Sequence, residues 1–467
     1  MPRQRWFIVL MCFLAVAINY IDRANLGVAV PLIRKEYSLD PAVMGLVLSG
    51  FFWSYALMQL PCGWLIDRFG SRTTYTVATL VMSVATIATA FAGGVVSLFG
   101  CRLVLGIGEA FCYPVNAKVT SLWFRRSERG FATGLWASGS RVGSAITLPL
   151  VAFVIANFGW REAFLVTGAM GLVWMCFWFL GYRDPDQHRA VTPEQLAALR
   201  SEYGASTAQQ KIRWADLFRY RTIWGMMIGF FCLNFVIYFF TTWFPAYLTE
   251  ARGFSLERLG TLGLLPGAIA IPAGWLGGFL SDYLFRRGWS LTAARKTCLV
   301  GGMLTSSVVA LAAVVPGDMA AIAFLSLSYA GLAFAGANIW TLPGDVAPTQ
   351  AHVASIGGIQ NFASNIAGIA LTTFTGLMVS LTKGSFFIPL AVAGIISILG
   401  AASYLFIVAR SRRCDLTTTT ARCSPSQRRA LPRRHLCTCR LSAFSPTISP
   451  VRWIRPPNSS VCAGRST

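Results

Sequence analysis

Histidine is nearly missing from this chain, with three in 467 residues, and acidic residues are few, 18 Asp and Glu against 40 Lys and Arg. His188, His352 and His435 lie away from the centres of the apolar stretches. No metal-ligand cluster or nucleophile motif accompanies them, which argues against a membrane-embedded enzyme such as an acyl or glycosyl transferase, and neither a metal nor a cofactor is expected. Charge of either sign is scarce, at 12% of residues, and mean hydropathy is +0.57, the composition of a polytopic membrane protein. A cleavable signal is also lacking, because the first apolar stretch is too long for one and carries charges. A disulfide framework is not expected. Cys12, Cys62, Cys101, Cys112, Cys176, Cys232 and Cys298 fall inside or at the ends of apolar stretches, as small packing residues do.

Stretches of roughly 20 apolar residues, enough to cross the hydrocarbon core, recur twelve times. The first six run Trp6–Val30, Val43–Ile66, Thr74–Phe91, Val95–Leu122, Gly130–Asn157 and Ala163–Tyr182. The second six run Ile223–Leu248, Leu259–Leu284, Thr297–Val315, Ala320–Val346, Val353–Leu381 and Phe386–Val408. The expected fold is therefore an all-α membrane protein of 12 transmembrane helices, six in residues 1–182 and six in 222–410. Between them, 183–221 reads as a cytoplasmic linker, with a helix start at Thr192-Pro193-Glu194-Gln195.

Basic residues in short loops set orientation. Arg68, Arg72, Arg125, Arg126, Arg129, Arg286, Arg287, Arg295 and Lys296 fall on one side with Arg3, Arg5 and the linker. The other side has Arg34, Lys35, Arg161, Arg252, Arg258 and Lys383, several of them beside Glu36, Glu162, Glu250 or Glu257. Both termini are expected in the cytoplasm. The net charge of +22 is mostly topogenic arginine plus a tail that holds twelve Arg from Arg410 onward, so nucleic acid is not an expected partner. From about Ser411 the apolar period disappears, and residues 411–467 read as a disordered basic tail, with the composition of an out-of-frame extension. His435, Cys437 and Cys439 resemble a metal tract only faintly, and Asn458-Ser459-Ser460 is a sequon by spelling alone.

Against this apolar background, charges inside the spans stand out. Span one holds Asp22 and Arg23, span four Arg102 and Glu109, and span five Arg141. Each costs about 2.5 to 3.5 kcal/mol at bilayer depth, so a protein-lined polar cavity is the expected setting. Arg102 and Glu109 are seven apart and share a helix face about two turns apart, with side-chain lean that disfavours a direct pair. A guanidinium matches a carboxylate, which makes Arg23 and Arg102 candidates to hold an anion. A carboxyl in a partly dry cavity exchanges its proton near neutral pH, which makes Asp22 and Glu109 candidates for proton coupling. Pairing of these charges across helices, purely to fasten the bundle, is the alternative. Tyr55 reads as a hydrogen-bond donor to substrate or as packing. Arg141 reads as the receiver of a second acidic group or as an electrostatic answer to Asp22 or Glu109.

The second set of spans has amides instead of charges. Asn234, Asn338, Gln360, Asn361 and Asn365 are suited to hydroxyl recognition or to interhelical glue, with glue expected for Asn338. A polyhydroxy acid lying between the halves, carboxylate toward the first, fits this division.

The halves also echo each other. Gly63-Trp64-Leu65-Ile66-Asp67-Arg68-Phe69-Gly70-Ser71-Arg72 recurs more weakly as Gly278-Phe279-Leu280-Ser281-Asp282-Tyr283 with Arg286-Arg287. This loop resembles the signature loop of the major facilitator superfamily. Asn19-Tyr20-Ile21-Asp22-Arg23-Ala24-Asn25-Leu26 and Arg102 to Ala110 with Tyr113-Pro114-Val115-Asn116 resemble its anion:cation symporter branch, which includes bacterial galactonate, hexuronate and glucarate permeases. The resemblance covers roughly residues 1–410. It implies proton-coupled symport of a small organic anion into a bacterial cytoplasm, coupling roles for Asp22 and Glu109 and a cavity place for Tyr55. A monomer is expected, and Asp67, Arg68 and Arg72, with Asp282 in the second copy, read as a gating loop whose charges latch onto facing helix ends or as plain positive-inside topology. Alternatives are a proton-driven exporter of the same fold, uptake of an aromatic or other carboxylate, or a sensor. Span five lacks the Gly-Pro-Gly-Gly type motif of exporters.

Overall fold

The computed structural model describes residues 2–124, 126–188, 191, 217–339, 341–346 and 350–408. The helix start expected at Thr192, the metal tract, the sequon and the basic tail lie outside the described residues. Among the described residues eleven helical segments are long and apolar enough to cross a membrane. One of them, α2 (Pro41–Ala90), has 50 residues, about 75 Å of helix against a hydrocarbon core of ~30 Å. It bends at Gly70, whose φ of 78° and ψ of 159° leave the helical region, a conformation that costs glycine little. The segment therefore supplies two crossings, and the total is twelve.

The first six crossings use α1 (Pro2–Glu36), the two arms of α2, α3 (Val95–Glu109) with α4 (Cys112–Trp123), α5 (Arg126–Ala137) with α6 (Gly139–Phe158), and α7 (Trp160–Gly181). The last six use α8 (Arg221–Thr242), α9 (Leu256–Leu262) with α10 (Leu265–Arg286), α11 (Leu291–Ser306), α12 (Asp318–Ile339), α13 (Gln350–Leu381) and α14 (Phe387–Ala402). Several crossings that read as continuous in the sequence are jointed, spans four, five and eight among them. Spans four and eight restart with Pro114 and Pro266 inside the first turn of the new helix, where a missing N–H costs nothing. Span five restarts at Gly139, just before Arg141.

Large apolar side chains cover the outside: Leu57, Leu60, Trp64, Phe131, Leu180 and Phe406 are all exposed. Inside the first half, Tyr182, Trp178 and Trp174 form a stacked column with Tyr75 against its edge. An outward apolar surface and an inward aromatic core are what a lipid solvent requires.

The two halves meet along a seam at the end of the molecule that carries the turn between α1 and α2. A Cβ on Gly45 would lie 2.6 Å from the Thr372 carbonyl oxygen and 3.1 Å from Gly376 Cα. A Cβ on Gly27 would lie 2.8 Å from the Thr241 carbonyl oxygen. Two side-chain links reinforce this close backbone contact, an Arg34–Glu250 ion pair and a hydrogen bond of 2.8 Å from Ser380 to Asp40. At the opposite end Arg5 pairs with Glu128 and Lys118 with Asp67, each within the first half.

Candidate substrate site

Asp22, Arg23, Arg102, Glu109 and Arg141 stand inside the first six crossings, and three glycines decide how close the helices that carry them come. Gly106 and Gly108 let α3 lie directly on both arms of α2, since a Cβ on Gly108 would meet Met82 N at 2.7 Å and one on Gly106 would meet Tyr55 N at 3.1 Å. Gly143 does the same between α6 and α1, facing Ala17 Cα at 2.9 Å. The result is a tight packet around the middle of α1.

In that packet Arg23 donates to Glu109 Oε2 from Nη2 at 2.8 Å and from Nε at 3.2 Å. Both side chains are buried. The guanidinium lies among aromatic rings, 4.6 Å from the Phe51 centroid, 4.9 Å from Tyr20 and 5.3 Å from Tyr55. Such a cage supports a cation through the ring quadrupoles. Of the pairings left open by the sequence, this one forms, and the expected absence of an Arg102–Glu109 hydrogen bond also holds among the described residues.

The remaining capacity of the packet is unused. Both oxygens of Asp22, Glu109 Oε1 and Arg102 Nε are buried without a hydrogen-bond partner. Near Asp22, Thr86 donates to the Met82 carbonyl oxygen, and Thr167 accepts from Asn25 while its own hydroxyl hydrogen stays available. A buried charged group normally holds a partner, and only the Arg23–Glu109 contact provides one among these four side chains.

In the second half, Gln360 on α13 is buried with neither amide atom partnered. Asn365 donates to the Asn361 backbone carbonyl oxygen one turn earlier, at 3.0 Å. Asn338 donates to Gly277 at 3.1 Å and Asn234 to Phe230 at 2.9 Å. Asn338 thus links α12 to α10, the glue role expected for it. Tyr55 is buried with its ring beside Arg23, which leaves the cavity role and the packing role compatible.

Sequence reasoning passed over three contributors. Tyr20 stands beside the cation, Tyr238 bonds with the Ser364 hydroxyl at 2.9 Å, and Phe52 packs against Tyr238 at 4.5 Å across the two halves. The signal for Tyr238 was its place one turn beyond Asn234 on span seven.

The loop residues behave differently from one another. Arg72 donates twice to the Phe179 carbonyl oxygen, at 2.6 and 3.0 Å, in the last turn of α7. That is the helix-end attachment expected of it, because a cation complements the negative end of the dipole. Asp67 accepts from Lys118 at 2.9 Å. Arg68 lies over Trp64 and Phe69 of its own helix, and Asp282 is exposed. The Arg72 and Asp67 contacts stay within the first half.

A model of the Major Facilitator Superfamily matches residues 12–373. The chain belongs to this superfamily. It is 38% identical over 401 residues to a probable sulfoacetate transporter of Cupriavidus necator, covering 85% of this chain and 92% of that one. It is 34% identical to a D-galactonate transporter of Escherichia coli, covering 88% and 97%. It is equally similar, at 34%, to a probable galactarate/D-glucarate transporter of Escherichia coli, covering 88% and 95%. Among solved structures, a bacterial homolog of the human lysosomal transporter Spinster superposes with a TM-score of 0.71 at 20% identity, covering 88% and 97%. The xylose transporter XylE of Escherichia coli gives 0.70 at 14%, covering 87% and 96%. The fold expected from the sequence is thus the observed one, and the chain is a multi-pass membrane transporter, not an enzyme.

Proposed function

We propose that the protein carries a sugar-acid anion into a bacterial cytoplasm, driven by protons, through alternating access of one cavity between its two six-helix halves. The relatives named for galactonate and for galactarate or glucarate support this substrate class, and the basic loops support cytoplasmic termini in the inner membrane. With that orientation, the glycine seam lies at the periplasmic end.

The observation that carries the reading is the Arg23–Glu109 pair. A carboxylate substrate competes for the same two N–H groups that Glu109 Oε2 occupies. Protonating Glu109 removes its charge, weakens the pair and frees the guanidinium fork for the incoming anion. Releasing the proton restores the pair and displaces the anion. Asp22, buried and unpartnered nearby, is the second carboxyl available to carry a proton. Arg102 supplies a further cation to the anion, and Gln360 a donor and an acceptor to its hydroxyls.

Thermal-shift titration of the purified protein tests the substrate class. Galactonate and galactarate should raise the apparent melting temperature in proportion to log concentration, and galactose should not, because a ligand bound only by the native state stabilises it. Equal shifts with galactose would reject an anion site.

A further inference from the structure

Spans five and eight run side by side across the interface of the halves. At the seam end a Cβ on Gly260 would meet Ala152 at 3.5 Å, further in a Cβ on Gly267 would meet Ala145 Cα at 3.6 Å, and last a Cβ on Gly274 would meet Arg141 Cζ at 3.4 Å. Arg141 is thus where this ladder of contacts ends. Its guanidinium lies against bare backbone of the opposite half, half-buried, and forms no side-chain hydrogen bond or ion pair among the described residues. The neighbouring Gly139 and Gly143 fix its height, since they face Phe13, Val16 and Ala17 of α1. Arg23 lies six residues beyond Ala17, a rise of about 9 Å.

Charge and distance together select the ligand. Arg23, Arg102 and Arg141 taken with Asp22 and Glu109, both ionised, carry one net positive charge. Protonating either carboxylate leaves two. Arg141 is the cation that turns a site balanced for a monoanion into one balanced for a dianion. A six-carbon diacid places its carboxyl carbons on the order of 6 Å apart, and a hydrogen bond of about 3 Å at each end covers the interval between the heights of Arg23 and Arg141.

We propose that Arg141, over the open face of Gly274, is the receptor for the second carboxylate of a dianionic sugar acid, so that the preferred substrate class is the aldaric diacid rather than the aldonic monoacid. This rests on the sugar-acid reading above. The alternative role, an electrostatic partner to Asp22 or Glu109, is disfavoured because Glu109 is paired with Arg23 and Arg141 is turned toward the second half.

Galactonate and galactarate share a skeleton and differ only in the oxidation of the terminal carbon, so their dissociation constants in one protein isolate the second charge. In the parent, galactarate should bind more tightly. In Arg141→Gln the galactarate constant should rise by about tenfold to hundredfold, as loss of a charge-assisted bond implies, while the galactonate constant stays within about twofold. Arg141→Lys, which restores the charge, should recover part of the galactarate affinity. Equal losses for both acids, or a parent that prefers galactonate, would overturn the proposal while leaving the sugar-acid site standing. Failure of the parent to bind either acid would remove the underlying reading and the proposal with it. Because the Arg141→Gln substitution could perturb the bundle, Gly274→Val is read in parallel: it crowds the guanidinium and should weaken galactarate selectively with Arg141 intact.

Discussion

Glu109 uses one carboxylate oxygen to accept both N–H groups that Arg23 presents, at 2.8 and 3.2 Å, and keeps the other oxygen buried without a partner. The pair joins the middle of α1 to the last residue of α3. Removing either charge leaves the other buried without its partner. Glu109→Gln mimics the protonated acid permanently, so substrate exchange between equal compartments should persist while accumulation against a gradient is lost. Counterflow and gradient-driven uptake measured on one reconstituted preparation separate these, and parent-like accumulation would show that Glu109 does not couple.

Arginine and lysine carry the same charge but not the same fork. Arg102→Lys should therefore fold, keep the cavity charge and bind anion about tenfold more weakly, the loss expected of one charge-assisted bond. Arg23→Lys should do the same and, by loosening Glu109, should also flatten the pH dependence of uptake. Unchanged affinity in both variants would mean that neither guanidinium holds the substrate.

Gln360 is buried with both amide atoms unpartnered, an arrangement that costs stability unless a ligand repays it. Gln360→Leu, close in volume, should leave the melting temperature of the empty protein equal or higher and lower sugar-acid affinity. A drop in empty-state stability with unchanged affinity would make the amide structural.

The seam must part for a cavity to open at that end. Ser380 bonds to Asp40 at 2.8 Å across the halves. The double variant Asp40→Cys/Ser380→Cys, oxidised, should stop transport, and reduction should restore it. Full activity of the cross-linked protein would show that the seam is not a gate.

Much of this architecture was legible in the chain because lipid imposes length and polarity on each span separately, and those are local properties. The twelve limits, the five intramembrane charges and the amides of the second half needed only neighbouring residues. The joints needed more: Pro114 and Gly70 were visible, but whether a proline ends a helix or starts one depends on what packs beside it. Partner choice was least legible. Arg23 and Glu109 are 86 positions apart, so although side-chain lean on α3 argued against Arg102 as the partner of Glu109, nothing along the chain pointed to Arg23. Arg141 against Gly274 was hidden for the same reason, since a glycine carries no sign of what will lie over it. The loop residues divided: Arg72 met a helix end, whereas Asp67 found Lys118, a residue the loop motif does not include.

The central claim is that anion movement is driven by protons through Glu109 and Asp22, and uptake of radiolabelled galactarate into proteoliposomes with an imposed inward proton gradient tests it most directly. The account predicts accumulation above the external concentration, abolished by a protonophore and absent in Glu109→Gln. Galactarate that equilibrates to the external concentration and no further, with the gradient intact, would contradict it.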